Sequence, residues 1–261
     1  MRLISLLLAS CVLSLNALAI TPPGLSSVRL KNESYEQART RAYTKTTDIT
    51  VASADSAESS KKPLSELDLQ EIPELASYEE LEEQFIFLRD TRFIETSDPN
   101  FPRRLTWLYP DDGCYARAEM MKIQLASRSI TAPKKVFVFG DLYAKSKNAP
   151  SGYVQWWYHV AVTYRVADQA YVIDPSVEPH RPLKITEWNT LVGGERKPVQ
   201  YALCSENTFD PSQDCQHPRA MSRHDSLSIQ KSFLKTEWYR IVSLKRSPEK
   251  ELGDSPPWLD H

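Results

Sequence analysis

The run Asp111-Asp112-Gly113-Cys114-Tyr115-Ala116-Arg117-Ala118-Glu119-Met120-Met121 constrains this chain more than any other stretch. It reads as a turn that feeds directly into a helix, with a cysteine at the first helical position. Asp112 and Gly113 suit a tight turn and an N-cap. After them Cys114, Ala118, Met121 and Leu125 recur at i, i+4, i+7 and i+11, the spacing of one buried helical face. A thiol placed there meets free backbone N–H groups and the positive end of the helix dipole, both of which favour the nucleophilic thiolate. An inert buried cysteine fits the same spacing, so the rest of the chain has to decide.

Two later segments bear on the choice. Trp156-Trp157-Tyr158-His159-Val160-Ala161-Val162 is an apolar run with one histidine in it, and Tyr171-Val172-Ile173-Asp174-Pro175 is a short apolar run ending in a carboxylate. Cysteine, histidine and aspartate in that order, each at the edge of a regular element, form a candidate nucleophile, base and orienting group. Taken singly, a histidine in a strand is commonly structural and an aspartate before proline is commonly a turn residue.

Together the run from Tyr109 to Met121, the segment Trp156 to Val162 and the segment Val172 to Ser176 resemble the bacterial protein-glutaminase (protein-glutamine deamidase) family. The match runs from about Ile72, through Leu75-Ala76-Ser77, to Thr186-Glu187-Trp188-Asn189 near Val192, roughly the central half of the chain. The resemblance implies an α+β fold with a papain/transglutaminase-like cysteine-enzyme core. In such a core the nucleophile sits at a helix N-terminus packed on an antiparallel sheet. It also implies conversion of protein-bound glutamine side chains to glutamate with release of ammonia. Cys114 would be the nucleophile, His159 the acid and base, and Asp174 the group that orients the imidazole. Two departures from the family pattern are Glu119 after Ala118 and a short, polar N-terminal region, which leave substrate preference and zymogen control open.

Bulk properties exclude several other classes. The 261 residues are 41% hydrophobic and 25% charged, enough for one sizeable core. A net charge of −2 gives no electrostatic argument for nucleic acid or anionic lipid as a partner. Seven glycines against 18 prolines, with no GxGxxG or P-loop pattern, argue against phosphate-cradling chemistry. Four cysteines are present, Cys11, Cys114, Cys204 and Cys215. With Cys11 in a signal segment, the simplest arrangement is a Cys204–Cys215 disulfide with Cys114 free. Cys204, Cys215, His217 and His224 match no standard zinc spacing, so no metal is assigned. His180, His217, His224 and His261 lack partner patterns and read as surface residues.

Taken in order, residues 1–19 form a secretory signal, apolar from Leu3 to Leu18 and ending Ala17-Leu18-Ala19, with cleavage after Ala19 favoured over a lipoprotein box at Cys11. Export to the periplasm or medium follows. Residues 20–70 read as a polar linker or short pro-segment, with Ala52 to Lys62 solvated. A catalytic domain spans 71–246 and a tail 247–261. Within the domain, Ser77 and Glu80 form a capping box for a helix whose buried face is Tyr78, Leu81, Phe85 and Leu88. Leu105 to Tyr109 is a short extended approach to the nucleophile turn. Strands are expected at Lys135 to Gly140 and at about Tyr153 to Val166, the latter with Trp157, His159, Ala161 and Thr163 on one face. Ala170 to Asp174 should return antiparallel. A turn near Val166-Ala167 sets Asp174 opposite His159, and a turn at Asp168 moves it toward Val162. Asp225 to Leu244 is a helix or strand closing the domain.

The chemistry needs no metal or organic cofactor. Trp157 and Tyr115 are candidates to flank the glutamine methylenes. Partners are protein or peptide substrates bearing exposed glutamine, and the chain reads as a monomer without a membrane span. Three other readings stay open from sequence: acyl transfer to an amine in a transglutaminase-like reaction, peptide-bond hydrolysis by a cysteine protease, and a non-catalytic exported binding protein.

Overall fold

The structure is a computed structural model that describes residues 25–44 and 52–259. The signal segment, Cys11 and the tail residues 260–261 lie outside the described residues, as do 20–24 and 45–51. The core is a five-stranded antiparallel sheet of β1 (Lys134–Lys145), β2 (Tyr153–Val166), β3 (Gln169–Ile173), β4 (Leu183–Lys184) and β5 (Gln200–Cys204), in the order β4-β3-β2-β1-β5. The helices are α1 (Tyr35–Thr44), α2 (Tyr78–Asp90), α3 (Cys114–Ala126), α4 (Ile185–Leu191), α5 (Arg223–Ser243) and α6 (Pro248–Glu251). The fold is therefore α+β, with α3 packed on β2 and flanked by α2 and α5. Among the described residues no helix is long and apolar enough to cross a membrane.

Two apolar clusters sandwich the sheet. One joins Phe137, Phe139, Tyr158, Val160 and Val162 to α2, α3 and α5; the other joins Val136, Val138, Trp156, Ala161 and Val172 to α4. Trp107, Trp156, Trp157 and Trp188 are fully buried. Indoles of that size dominate core energetics at roughly 150–250 Å² each. The helix α3 buries more than the single face its spacing suggests. Cys114, Ala118, Met121 and Leu125 are buried, and so are Tyr115, Ala116, Arg117, Glu119 and Met120 between them. A helix enclosed on all sides must neutralise its polar side chains internally. Glu119 does so with Lys135 at 2.6 Å, both at 0% exposure, and with Lys122 at 2.6 Å.

Several expectations change. The β2–β3 hairpin turns at Ala167-Asp168, with Val166 opposite Gln169 and Val162 opposite Ile173. That register lies between the two turn positions the sequence allowed, and Asp174 follows just beyond the paired strand. Alternation along β2 breaks at Trp157, where the pairing passes from Phe139–Tyr158 to Leu142–Trp156 and Gly140 and Asp141 oppose one residue. As a result Trp156, not Trp157, stands with His159. Residues Leu105 to Tyr109 form a buried turn and not a strand. The stretch read as solvated, Ala52 to Lys62, packs instead: Ser56, Ala57 and Glu58 are buried, and Lys62 bridges to Tyr201. The tail packs too, through Trp258, whose indole N–H donates to Asp90 at 2.9 Å. Cys204 and Cys215 are joined by a disulfide and Cys114 is a free, buried thiol.

Candidate active site

Gly113 is the N-cap of α3 with φ of 79°, a left-handed conformation that a side chain would strain. A Cβ there would also lie 3.1 Å from the Phe233 ring. Asp112 does not cap the helix, since α3 has no side-chain cap; its Oδ1 accepts from the Gly113 N–H at 2.8 Å and so shapes the turn. The turn is held from behind by Arg117, whose buried guanidinium donates to the carbonyls of Asp112 at 2.7 Å and Tyr109 at 3.1 Å. Glu237 of α5 accepts the Leu108 N–H at 2.9 Å and pairs with Arg103 at 2.5 Å. Asp111 is paired with Arg240 of the same helix. These contacts fix where Cys114 emerges.

The edge of β2 away from β1 is covered by β3 only from Val162 to Val166. Beyond it, Val28 bridges to Trp156, the Trp157 N–H donates to the Ser27 carbonyl at 2.9 Å, and the Arg29 N–H to the Gln155 carbonyl at 2.9 Å. His159 lies in the interval between these two covers. Its Nε2 pairs with Asp174 Oδ2 at 2.7 Å, both side chains being buried. Asp174 also accepts from the Trp188 indole N–H at 2.9 Å and the Ser176 hydroxyl at 2.6 Å. The remaining ring nitrogen, Nδ1, has no hydrogen-bond partner among the described residues, and the Cys114 thiol is the second group, after Asp174, whose proximity favours the charged imidazole. The structure thus brings Cys114, His159 and Asp174 together.

Burial disfavours charge on both members of the pair, and each outweighs it through the other. Desolvation pushes the His159 pKa down, but the Asp174 charge, its hydrogen bond and Cys114 raise it from 6.5 to about 9. Desolvation pushes Asp174 up, and His159, Ser176 and Trp188 bring it down to about 2. A buried imidazolium–carboxylate pair is the consequence.

Trp157 is buried against Tyr158 and against Tyr43 of α1, and its indole N–H donates to the Ser26 carbonyl at 2.8 Å. Tyr115 packs between Phe209 and Phe233 in the core. Sequence reading gave no role to Trp188 or Ser176. The signals were present, since Ser176 follows Asp174 by two residues and Trp188 lies in a short helix within the matched stretch. An indole's hydrogen-bond partner cannot be read from spacing. Among the described residues no group of three or more His, Cys, Asp or Glu is placed to hold a metal, and Cys204 and Cys215 are committed to their disulfide. An open cavity of about 460 Å³ lies beside Ser176, lined also by Leu108, Asn148, Pro175 and Trp258. It does not reach Cys114, which is buried, and the segment at 25–29 is fastened nearby: Ser27 donates its N–H and hydroxyl to Asp112, and Tyr158 its hydroxyl to the Leu25 carbonyl at 2.5 Å.

Residues 81–192 match the family model described as glutaminase, a span that contains all three residues of the site. No curated protein matches significantly. Among solved structures, the chain is similar to the crystal structure of pro-protein-glutaminase at 22% identity, over 72% of this chain and 63% of that one, with a TM-score of 0.49. It is similar also to the NMR structure of protein-glutaminase from Chryseobacterium proteolyticum, at 27% identity over 61% of this chain and 88% of that one, TM-score 0.49. The chain spans less than two thirds of the pro-protein-glutaminase it matches. The resemblance read from Tyr109 to Met121, Trp156 to Val162 and Val172 to Ser176 is borne out over the matched residues.

Proposed function

We propose that this protein is an exported hydrolase that deamidates protein-bound glutamine side chains, with Cys114, His159 and Asp174 as its catalytic triad. The observation that carries the reading is a free cysteine at the N-terminus of a buried helix beside a histidine–aspartate pair at 2.7 Å, all within the glutaminase match. The disulfide fits a compartment outside the reducing cytoplasm.

The Cys114 thiolate attacks the side-chain amide carbon, forming a C–S bond and a tetrahedral oxyanion. The Cys114 N–H, which has no acceptor within the helix, is a donor for that oxyanion. Collapse breaks the C–N bond, and the His159 imidazolium gives its proton to the departing ammonia, leaving a thioester. Neutral His159 then takes a proton from water, whose oxygen attacks the thioester carbon. The C–S bond breaks, glutamate leaves, and the imidazolium–thiolate pair is restored. Asp174 holds the imidazole with Nδ1 toward sulfur throughout and stabilises its charged form.

The segment 25–44 is the zymogen element of this reading. Its extended residues cover the β2 edge from Gln155 to Trp157 and hold Asp112 through Ser27, and α1 is anchored at Glu58, which accepts from Tyr43 at 2.7 Å and Tyr35 at 3.0 Å and pairs with Arg39. Proteolytic release of the segment would uncover that edge. Trp157 then loses the cover of Ser26 and Tyr43 and can flank the glutamine methylenes, whereas Tyr115 stays in the core.

The test is ammonia release from a soluble protein such as casein, before and after limited proteolysis of the N-terminal region, with Cys114→Ala alongside. Release that rises on proteolysis and vanishes in the variant supports the reading. No release from the nicked chain, with Cys114 inert to alkylation, overturns it.

A further inference from the structure

His159 is gripped by two tryptophans in different ways. Trp188 lies 5.8 Å from the imidazole centroid at 36° and gives its N–H to Asp174, so it serves the carboxylate. Trp156 lies face to face with the imidazole, 4.3 Å between centroids and 14° between planes. Its indole N–H donates to the carbonyls of both Pro110 and Asp111 at 3.0 Å. Those carbonyls belong to the turn that presents Cys114. An indole buried for volume alone needs neither near-parallel contact with a charged ring nor two acceptors from one turn.

We propose that Trp156 is a positioning residue that couples the base to the nucleophile: its face carries the His159 imidazolium and its N–H fixes the Pro110–Asp111 turn. The negative face of an indole favours a cation stacked on it, more so where water is excluded, and Trp156 is 0% exposed. Its backbone is set by the sheet on both sides, opposite Leu142 on β1 and Val28 on the other edge. The stack can form because alternation breaks at Trp157, which brings residues three apart to the same side of β2.

The other groups around the ring are known. Asp174 faces it from the end of β3 and Cys114 from α3, and Trp188 of α4 is neutral. Near the turn, Asp111 is paired with Arg240 and Asp112 accepts from Ser27. Arg29 is turned to the carbonyls of Trp156 and Leu142. The charge on the imidazole therefore rests on Asp174 and Cys114, with the indole face as the third support.

The inference rests on the deamidase reading only for what His159 does in a reaction. Its test needs no substrate, so the two can fail separately. The imidazole of His159 is titrated by NMR in the full chain, assigned with His159→Gln, in the parent, Trp156→Phe and Trp156→Leu. The leucine variant should lower the His159 pKa by roughly 0.5–1.5 pH units, the value of a desolvated cation–π contact. The phenylalanine variant, which keeps a weaker ring and loses the N–H, should lower it less. It should also speed amide hydrogen exchange from Asp112 to Ala116 by about tenfold or more, the loss of one hydrogen bond. An unchanged His159 pKa in folded Trp156→Leu overturns the proposal. Should that variant not fold, an unchanged pKa with unchanged exchange in Trp156→Phe overturns it equally. In the nicked enzyme, both variants should lose kcat with KM kept.

Discussion

Replacing Asp174 by asparagine keeps the shape of the side chain and removes its charge, leaving His159 fully buried without its chief electrostatic support. Two costs follow, and pH separates them. The first is local. Asparagine offers one acceptor oxygen where the carboxylate serves His159, Trp188 and Ser176. One buried donor loses its partner, at about 1–3 kcal/mol at any pH. The second is linked to protons. With Asp174 present the folded His159 pKa is raised from 6.5 to about 9, so the folded state holds a proton that the unfolded state gives up between those values. Its stabilisation is fully present below the unfolded value and is lost as pH rises through the folded one. The slope is about 1.4 kcal/mol per pH unit, and across that window it accumulates to roughly 3 kcal/mol. Without the carboxylate, burial holds the imidazole neutral and this contribution disappears. Urea unfolding of both proteins at a series of pH values reads the difference directly. The gap should be largest below the unfolded value of 6.5, near 4–6 kcal/mol, and shrink to about 1–3 kcal/mol above 9. A gap that stays constant, or widens with pH, would show that His159 is neutral in the fold and refute the ion-pair reasoning.

Three further outcomes are expected. Glu58→Gln removes the charge that anchors α1 through Tyr35, Tyr43 and Arg39, so alkylation of Cys114 in the full chain should speed by about 10–100-fold, and an unaltered rate would rule out Glu58 as the latch. Lys135→Met strands the buried Glu119 with Lys122 alone and should cost about 3 kcal/mol by urea unfolding, most of it recovered when Glu119→Leu is added; a double variant no better than the single would contradict this. Cys114→Ala should leave the unfolding midpoint close to that of the parent while ending ammonia release, since a small buried side chain is exchanged for another; equal activity would remove Cys114 from the mechanism.

The parts of the site that were legible in the sequence are those fixed locally. A glycine at a left-handed N-cap and a cysteine after it announce a helix start whatever surrounds them, and Cys114 is found there. The β2–β3 hairpin was readable because strand composition and a short polar turn are local properties too. What sequence missed depends on distant partners. The break in alternation at Trp157 arises from the extra residue on β1, at Gly140 and Asp141, so the face of His159 could not be assigned from β2 alone. Glu58 and Ser56 look solvated in a run of Ser, Ala, Asp and Lys, yet the fold buries them because α1 and the loop that carries Pro211 and Asp214 supply their partners. Trp188 holds Asp174 across a loop, a contact made by the path of the chain.

The most direct measurement is peptide mapping by mass spectrometry of a soluble protein substrate after incubation with the chain subjected to limited proteolysis of its N-terminal region. The account predicts glutamine converted to glutamate at exposed sites, an intact substrate backbone and no cross-links, all abolished by Cys114→Ala. Backbone fragments, amine adducts at glutamine, or an unmodified substrate would contradict it.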